Sequence, residues 1–263
     1  MLIGEPPPTH ADLHFRMFGF PVRVHPFFWI STLLLALGGR SDKGGEPVDV
    51  LIWVGVVLVS ILVHELGHAT MQRAYGGHPW ITLYGFGGLA SCNDCDRSPS
   101  RQIIICLAGP VAGFLFATVI ILGLQITGHS FGFVLSPERL DLEAKGIARA
   151  LVQPLGLFAV YFEPVQSQVV NHVLAKLFEV NILWGLINLL PVYPLDGGQI
   201  ARELFSLGNP RAGIVQSLQL SAGVAALIAL YALSKESVYL CLMFGYLAYA
   251  SFQTLRMYRD QWR

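Results

Sequence analysis

The stretch from Val50 to Val63 carries a single polar side chain, Ser60, and runs directly into His64-Glu65-Leu66-Gly67-His68. A helix from about Asp49 to Met71, rising about 1.5 Å per residue, is longer than the roughly 30 Å hydrocarbon core of a bilayer. The segment therefore reads as a membrane span that ends in three ionisable side chains. A charged residue at the bilayer centre costs roughly 2.5–3.5 kcal/mol on insertion scales, so ionisable groups retained there point to function.

Two histidines four residues apart lie on one face of a helix, one turn above the other, and their rings can converge on one ion. His-Glu-x-x-His on a helix is the zinc metalloprotease arrangement. His64 and His68 are the metal ligands, and Glu65 is the general base that takes a proton from metal-bound water as it attacks an amide. Three fixed positions in five can arise by chance in a soluble chain. Inside a membrane span the three groups have no solvated surface to occupy, and the metal-site reading is the stronger one.

Composition agrees with a membrane protein. Of 263 residues, 54% are hydrophobic and 13% are charged, where soluble domains carry about 25% charged residues. The chain is expected to be one polytopic membrane domain over residues 1–263. The formal net charge is zero, which gives no sign of a nucleic-acid partner. Residues Met1 to Arg16 include Glu5 and Pro6-Pro7-Pro8 and lack the basic start and apolar core of a cleaved signal peptide. Cys92, Cys95, Cys106 and Cys241 have no disulfide-framework spacing, and Cys92-Asn93-Asp94-Cys95 is a lone C-x-x-C that reads as two reduced loop cysteines.

The expected fold class is an all-α integral membrane protein of about six transmembrane helices, with spans near 27–38, 49–73, 103–125, 172–190, 213–233 and 238–256. Gly19 to Pro26 reads as an extended lead-in, Gly38 to Gly45 as a polar loop and Ser234 to Ser237 as a turn. After the second span, Trp80 to Ala90 is rich in aromatic, β-branched and glycine residues, which suits a short hairpin or re-entrant loop able to take a substrate as an added strand. Ala108-Gly109-Pro110-Val111-Ala112-Gly113 would let the third span approach the metal helix closely. In the connection from Phe131 to Gln168, Pro137 to Lys145 is polar and Ile147 to Tyr161 reads as an amphipathic surface segment. Six spans put both termini on one side. That side collects ten of the 17 Lys and Arg residues, so the termini, His68 and Asp196 are expected to face the cytoplasm, in a cell (inner) membrane.

A catalytic zinc needs a third protein ligand. Asp196 follows Pro191 and Pro194, precedes Gly197-Gly198, and sits at the end of a span on the same side as His68. Position alone leaves two roles open for it, metal ligand or cap of a short helix from about Gln199 to Ser206. His25 and His78 flank span starts and are left outside the metal site.

Taken together, His64-Glu65-Leu66-Gly67-His68 in a span, Gly85-Phe86-Gly87-Gly88 after it and Asn188-Leu189-Leu190-Pro191-Val192-Tyr193-Pro194-Leu195-Asp196-Gly197-Gly198 much later resemble the site-2 protease family of intramembrane zinc metalloproteases. Val24-His25-Pro26 before the first span fits the same pattern, and the order matches across most of the chain. The resemblance implies Zn2+ held by His64, His68 and Asp196, with Glu65 as base. It implies that Asn188 lies near the scissile peptide as an amide donor, beside the plainer role of satisfying a broken helix end. It also implies substrates that are transmembrane segments of other proteins, cut in the bilayer in regulated intramembrane proteolysis. The family often has Gly-Pro-x-x-Asn in the third span, and here Gly113 stands in place of the asparagine. No appended PDZ or CBS domain is expected, and oligomeric state is unread. A non-proteolytic zinc-binding or transport protein using the same three ligands is the competing reading, although the chain lacks the internal repeats common in transporters.

Overall fold

The computed structural model describes residues 5–38, 47–85, 87–134, 150–152, 159–235 and 237–260. Most of the expected loop at 38–45, Phe86, the polar stretch from Pro137 to Lys145, Ile147 and Glu236 lie outside them. Seven helices are described: α1 (Pro26–Gly38), α2 (Pro47–Ala74), α3 (Pro99–Ile126), α4 (Gln168–Asn188), α5 (Asp196–Ser206), α6 (Pro210–Ser234) and α7 (Val238–Asp260). All but α5 match the expected spans to within four residues at each end. Five of them are long and apolar enough to cross a membrane. The exception, α1, has 13 residues, a rise of roughly 20 Å that falls short of a full crossing. The chain is a multi-pass membrane protein of mostly helical fold.

Strands extend beyond the single hairpin that the sequence suggested. A four-stranded sheet runs β1 (Leu13–Met17), β2 (Phe20–Val24), β3 (Trp80–Tyr84) and β4 (Gly87–Ser91) in that order. Pairs β1/β2 and β3/β4 are antiparallel hairpins, and β2/β3 is parallel. The parallel pairing is possible because α1 and α2 lie between the two strands in the chain and supply the crossover. Phe18 and Gly19 form the β1–β2 turn, both with positive φ, 51° and 82°, as a two-residue hairpin turn requires.

One face of the sheet is buried on α2. Val22, Val24, Ile81 and Leu83 alternate inward and pack with Val57, Ile61, Leu62 and Ala69 of the helix. The period of two on the strands meets a stripe spaced three and four on the helix. The opposite face carries Arg23, Thr82 and Trp80, and there the Glu5 carboxylate accepts from Arg23 Nη2 at 2.9 Å and Thr82 Oγ1 at 2.6 Å. Arg73, in the last turn of α2, stacks 3.9 Å over the Phe20 ring and donates to Phe18 O at 3.0 Å. The end of α2 is thus pinned to the sheet.

The expected amphipathic segment at Ile147–Tyr161 is corrected. The described part of it is strand: β6 (Ala150–Val152) and the start of β7 (Ala159–Phe162), which with β5 (Phe131–Val134) form a second, antiparallel sheet. Val160 and Phe162 are buried in a cluster with Ala117, Leu124 and Phe178 of α3 and α4. Burial at every second residue gives a strand, where a surface helix needs apolar residues three and four apart.

Small residues set the α2–α3 approach as expected. A Cβ on Gly67 would overlap the Ala108 carbonyl and stand 2.8 Å from Ala112 Cβ, whereas one on Gly55 would meet nothing within 4 Å. Gly67→Ala is therefore expected to destabilise the fold by about 1–3 kcal/mol, as overpacking does. Gly55→Ala should be neutral or stabilising by up to about 1 kcal/mol. Thermal unfolding of the two variants in detergent checks the contrast.

Candidate metal centre

His64, Glu65 and His68 occupy the buried stripe of α2 and are 3%, 5% and 7% exposed. His68 Nδ1 lies 2.7 Å from Ile105 O on α3. A carbonyl oxygen can only accept, so the proton sits on Nδ1, and Nε2 keeps its lone pair for a metal. Proline at 110 has no N–H to return to Cys106 O, which loosens this turn of α3 beside the bonded carbonyl. The two Nε2 atoms face each other at 3.2 Å.

Asp196 arrives from the far side. Its carboxylate Oδ2 stands 3.1 Å from His64 Nε2 and 3.4 Å from His68 Nε2. Among the described residues Oδ2 is buried without a hydrogen-bond partner of acceptable geometry. A carboxylate oxygen and two imidazole nitrogens are the donor chemistry zinc takes. In a tetrahedral site with bonds of about 2.0–2.1 Å the ligand atoms are about 3.3–3.4 Å apart, close to the three separations here. These residues fit the ion, and His64, His68 and Asp196 could hold a metal together.

The alternative role of Asp196 as a helix cap does not match its position. The helix begins at Asp196 itself, its N-cap is Leu195, and no side chain caps it. The turn before it is fixed from outside: Tyr193 N donates to Ser221 Oγ of α6 at 3.0 Å, and Ser251 Oγ of α7 donates to Tyr193 O at 3.4 Å. Side chains on Gly197 and Gly198 would overlap the backbone at Leu189 and Val192. Both glycines are needed for α5 to start against the end of α4.

Glu65 lies under β4. A Cβ on Gly88 would overlap its carboxyl group, so only glycine lets the strand pass this close. The Ala90 backbone N–H is directed at the same carboxylate, and Ala90 O accepts from Gln72 Nε2 of α2 at 3.1 Å. At Ala90, then, the outer edge of β4 is turned to α2. Asn188 is buried, and its Nδ2 donates to Trp184 O one turn back in α4, at 2.9 Å. That bond serves the helix end. Neither His25, buried with Nδ1 accepting from Phe27 N, nor exposed His78 joins the centre.

Sequence reasoning missed Gly109 as a site residue. A Cβ there would overlap His68 Nε2 and come within 2.8 Å of His64 Nε2, so α3 leaves this space to the donors. Ser221 and Ser251 were also missed, since a serine in an apolar span has no local signature of its long-range partner.

A model of peptidase family M50 matches residues 52–230. Rip3 from Mycobacterium tuberculosis is 30% identical over 236 residues, 81% of this chain and 51% of its own length. Zinc metalloprotease MJ0392 from Methanocaldococcus jannaschii is 24% identical over 218 residues, 82% of this chain and 51% of its own. The chain spans about half the length of the curated relatives it matches. Among solved structures, the site-2 protease from Methanocaldococcus jannaschii shares the fold with a TM-score of 0.56 at 20% identity, over 93% of this chain and 95% of that one.

Gly109→Ala is expected to lower bound zinc in the purified protein by at least about tenfold in affinity, the scale of a disturbed ligand environment. At Gly113 the nearest atoms to an added Cβ are 3.5 Å away, and Gly113→Ala should leave zinc content unchanged. Metal analysis of the two proteins after dialysis against graded chelator decides this.

Proposed function

Because the chain belongs to peptidase family M50, the site-2 protease family, we propose that it is an intramembrane zinc endopeptidase cutting transmembrane segments of other proteins. The observation that carries the reading is the buried set of His64 Nε2, His68 Nε2 and Asp196 Oδ2 within 3.1–3.4 Å of one another, with Glu65 beside it. His64, His68 and Asp196 are the ligands. Bound zinc supplies a Lewis acid that polarises the scissile carbonyl and lowers the pKa of water.

The remaining work falls to the chain. Glu65 takes the proton of the attacking water as the C–O bond forms, then returns it to the amine nitrogen as the C–N bond breaks. The second N–H of the Asn188 amide is the donor to the developing oxyanion. A substrate helix hides its amides and must unwind locally. Strand β4 offers an extended template at Gly87 and Gly88 next to Glu65, and pairing there would hold the unwound segment by its backbone. The active site opens toward the cytoplasmic side, where the excess of basic residues lies.

In cleavage of a single-span substrate by the purified protein, Glu65→Gln should keep its zinc and lose at least about 10²-fold in rate, the contribution of a positioned general base. Asp196→Ala should lose both zinc and cleavage. Proteolysis retained in Glu65→Gln would remove Glu65 from the reaction.

A further inference from the structure

Cys92 and Cys95 form a disulfide in the loop between β4 and α3. The sequence suggested two reduced cysteines, and the structure corrects this, since the turn brings the two sulfurs together. Both residues are half-buried, and Asn93 and Asp94 between them are exposed. Cross-links of only three residues' separation remove little entropy from the unfolded chain compared with long ones, so the bond is a poor choice if stability is its purpose. Its surroundings are specific. A Cβ on Gly77, in the α2–β3 turn, would overlap both sulfurs, so the disulfide packs directly on the backbone that ends the metal helix.

A second latch lies inside the same ring. Asp94 Oδ1 accepts from His78 N at 2.9 Å, and Oδ2 from His78 Nδ1 at 2.6 Å. Those His78 bonds hold the Asp94 carboxyl below its ordinary value. Gln72 Nε2, one turn past His68, reaches Ala90 O. The C-x-x-C loop is therefore clamped to the end of α2 on one side, and on the other it continues the strand whose Gly88 backbone covers Glu65.

We propose that Cys92–Cys95 is a thiol–disulfide exchange site, opened by a dithiol reductant, that sets how firmly β4 is held beside Glu65. A thiolate of the reductant attacks one sulfur and forms a mixed disulfide, while the other cysteine leaves as a thiolate. The reductant's second thiolate then displaces the protein sulfur and closes the reductant's own disulfide. Two electrons pass to Cys92 and Cys95, which end as thiols carrying the two protons the reductant gave up. The freed sulfurs separate from each other over Gly77, the loop loses its ring, and β4 keeps its ladder to β3 while its outer edge is tied to the end of α2 by Gln72 and the Asp94–His78 pair.

The test uses the full chain in detergent, untreated, reduced with dithiothreitol, and reduced then reoxidised, beside a Cys92→Ser/Cys95→Ser double variant. Maleimide tagging after denaturation should count two thiols in the untreated protein, Cys106 and Cys241, and four after reduction. Hydrogen exchange at the β4 amides should quicken by at least about fivefold on reduction and return on reoxidation, the response of a local opening. The cleavage arm rests on the protease reading: KM for a single-span substrate should rise about threefold with kcat little changed, as lost ground-state positioning does. The double variant should match the reduced protein and ignore dithiothreitol. Equal β4 exchange in both redox states overturns the proposal, whatever the protein cleaves. So does a count of four thiols in the untreated chain, or a second zinc equivalent taken up on reduction and absent from the double variant, which would make the loop a metal site. Absence of cleavage in every state, with β4 exchange still redox-dependent, would fault the protease reading and leave the exchange site standing.

Discussion

Two imidazole nitrogens and a carboxylate oxygen, mutually 3.1–3.4 Å apart and shut away from water, dominate the architecture. Buried polar atoms of this kind are costly without partners. The chain meets that cost with structure on every side. Helix α2 contributes the histidines, α3 bonds one of them through Ile105 O and clears space with Gly109, and α5 starts at the carboxylate.

A carboxylate at the start of a short helix, between two long apolar ones, also requires the backbone to break where hydrogen bonds are scarce. The break between α4 and α5 is satisfied by neighbours. Tyr193 N and O are met by Ser221 and Ser251 from two different helices, and Asn188 turns its amide back onto Trp184 O. Deeper in the bundle, Asn181 Nδ2 donates to Ser60 Oγ at 2.9 Å and ties α4 to α2. These polar side chains use hydrogen bonds where apolar helices in lipid gain little from hydrophobic association.

The four-stranded sheet has a different purpose. It gives a fixed surface to the end of α2, through the Val22, Val24, Ile81 and Leu83 face and the Arg73 contacts. It also carries an edge strand to Glu65. Gly88 is the point of closest approach, and Ala90 is where the strand is anchored to α2. The Glu65 carboxyl and the Gly88 backbone are in such close approach that a side chain at 88 would displace one or the other.

Much of this was legible in the chain. Hydropathy alone placed the spans to within a few residues, since a bilayer accepts few solutions for an apolar run, and the spacing of His64 and His68 placed both on one helical face. The hairpin at Trp80–Ala90 followed from its aromatic, β-branched and glycine content. Leu13-His14-Phe15-Arg16-Met17 alternates apolar and polar residues and carried a strand signal that was passed over. The sequence also determined the chemistry available to the site: which nitrogens, which carboxylates, which glycines. What only the tertiary structure decided was proximity. Asp196 lies far along the chain from His68, and nothing local shows that its carboxylate will stand beside both imidazoles until α5 is packed against α3. Gly109 reads as a helix-packing residue until His68 Nε2 fills the space where its side chain would be. Ser221 and Ser251 are unremarkable serines until Tyr193 reaches them. Periodicity reports which face a residue occupies, and long-range packing determines what that face meets.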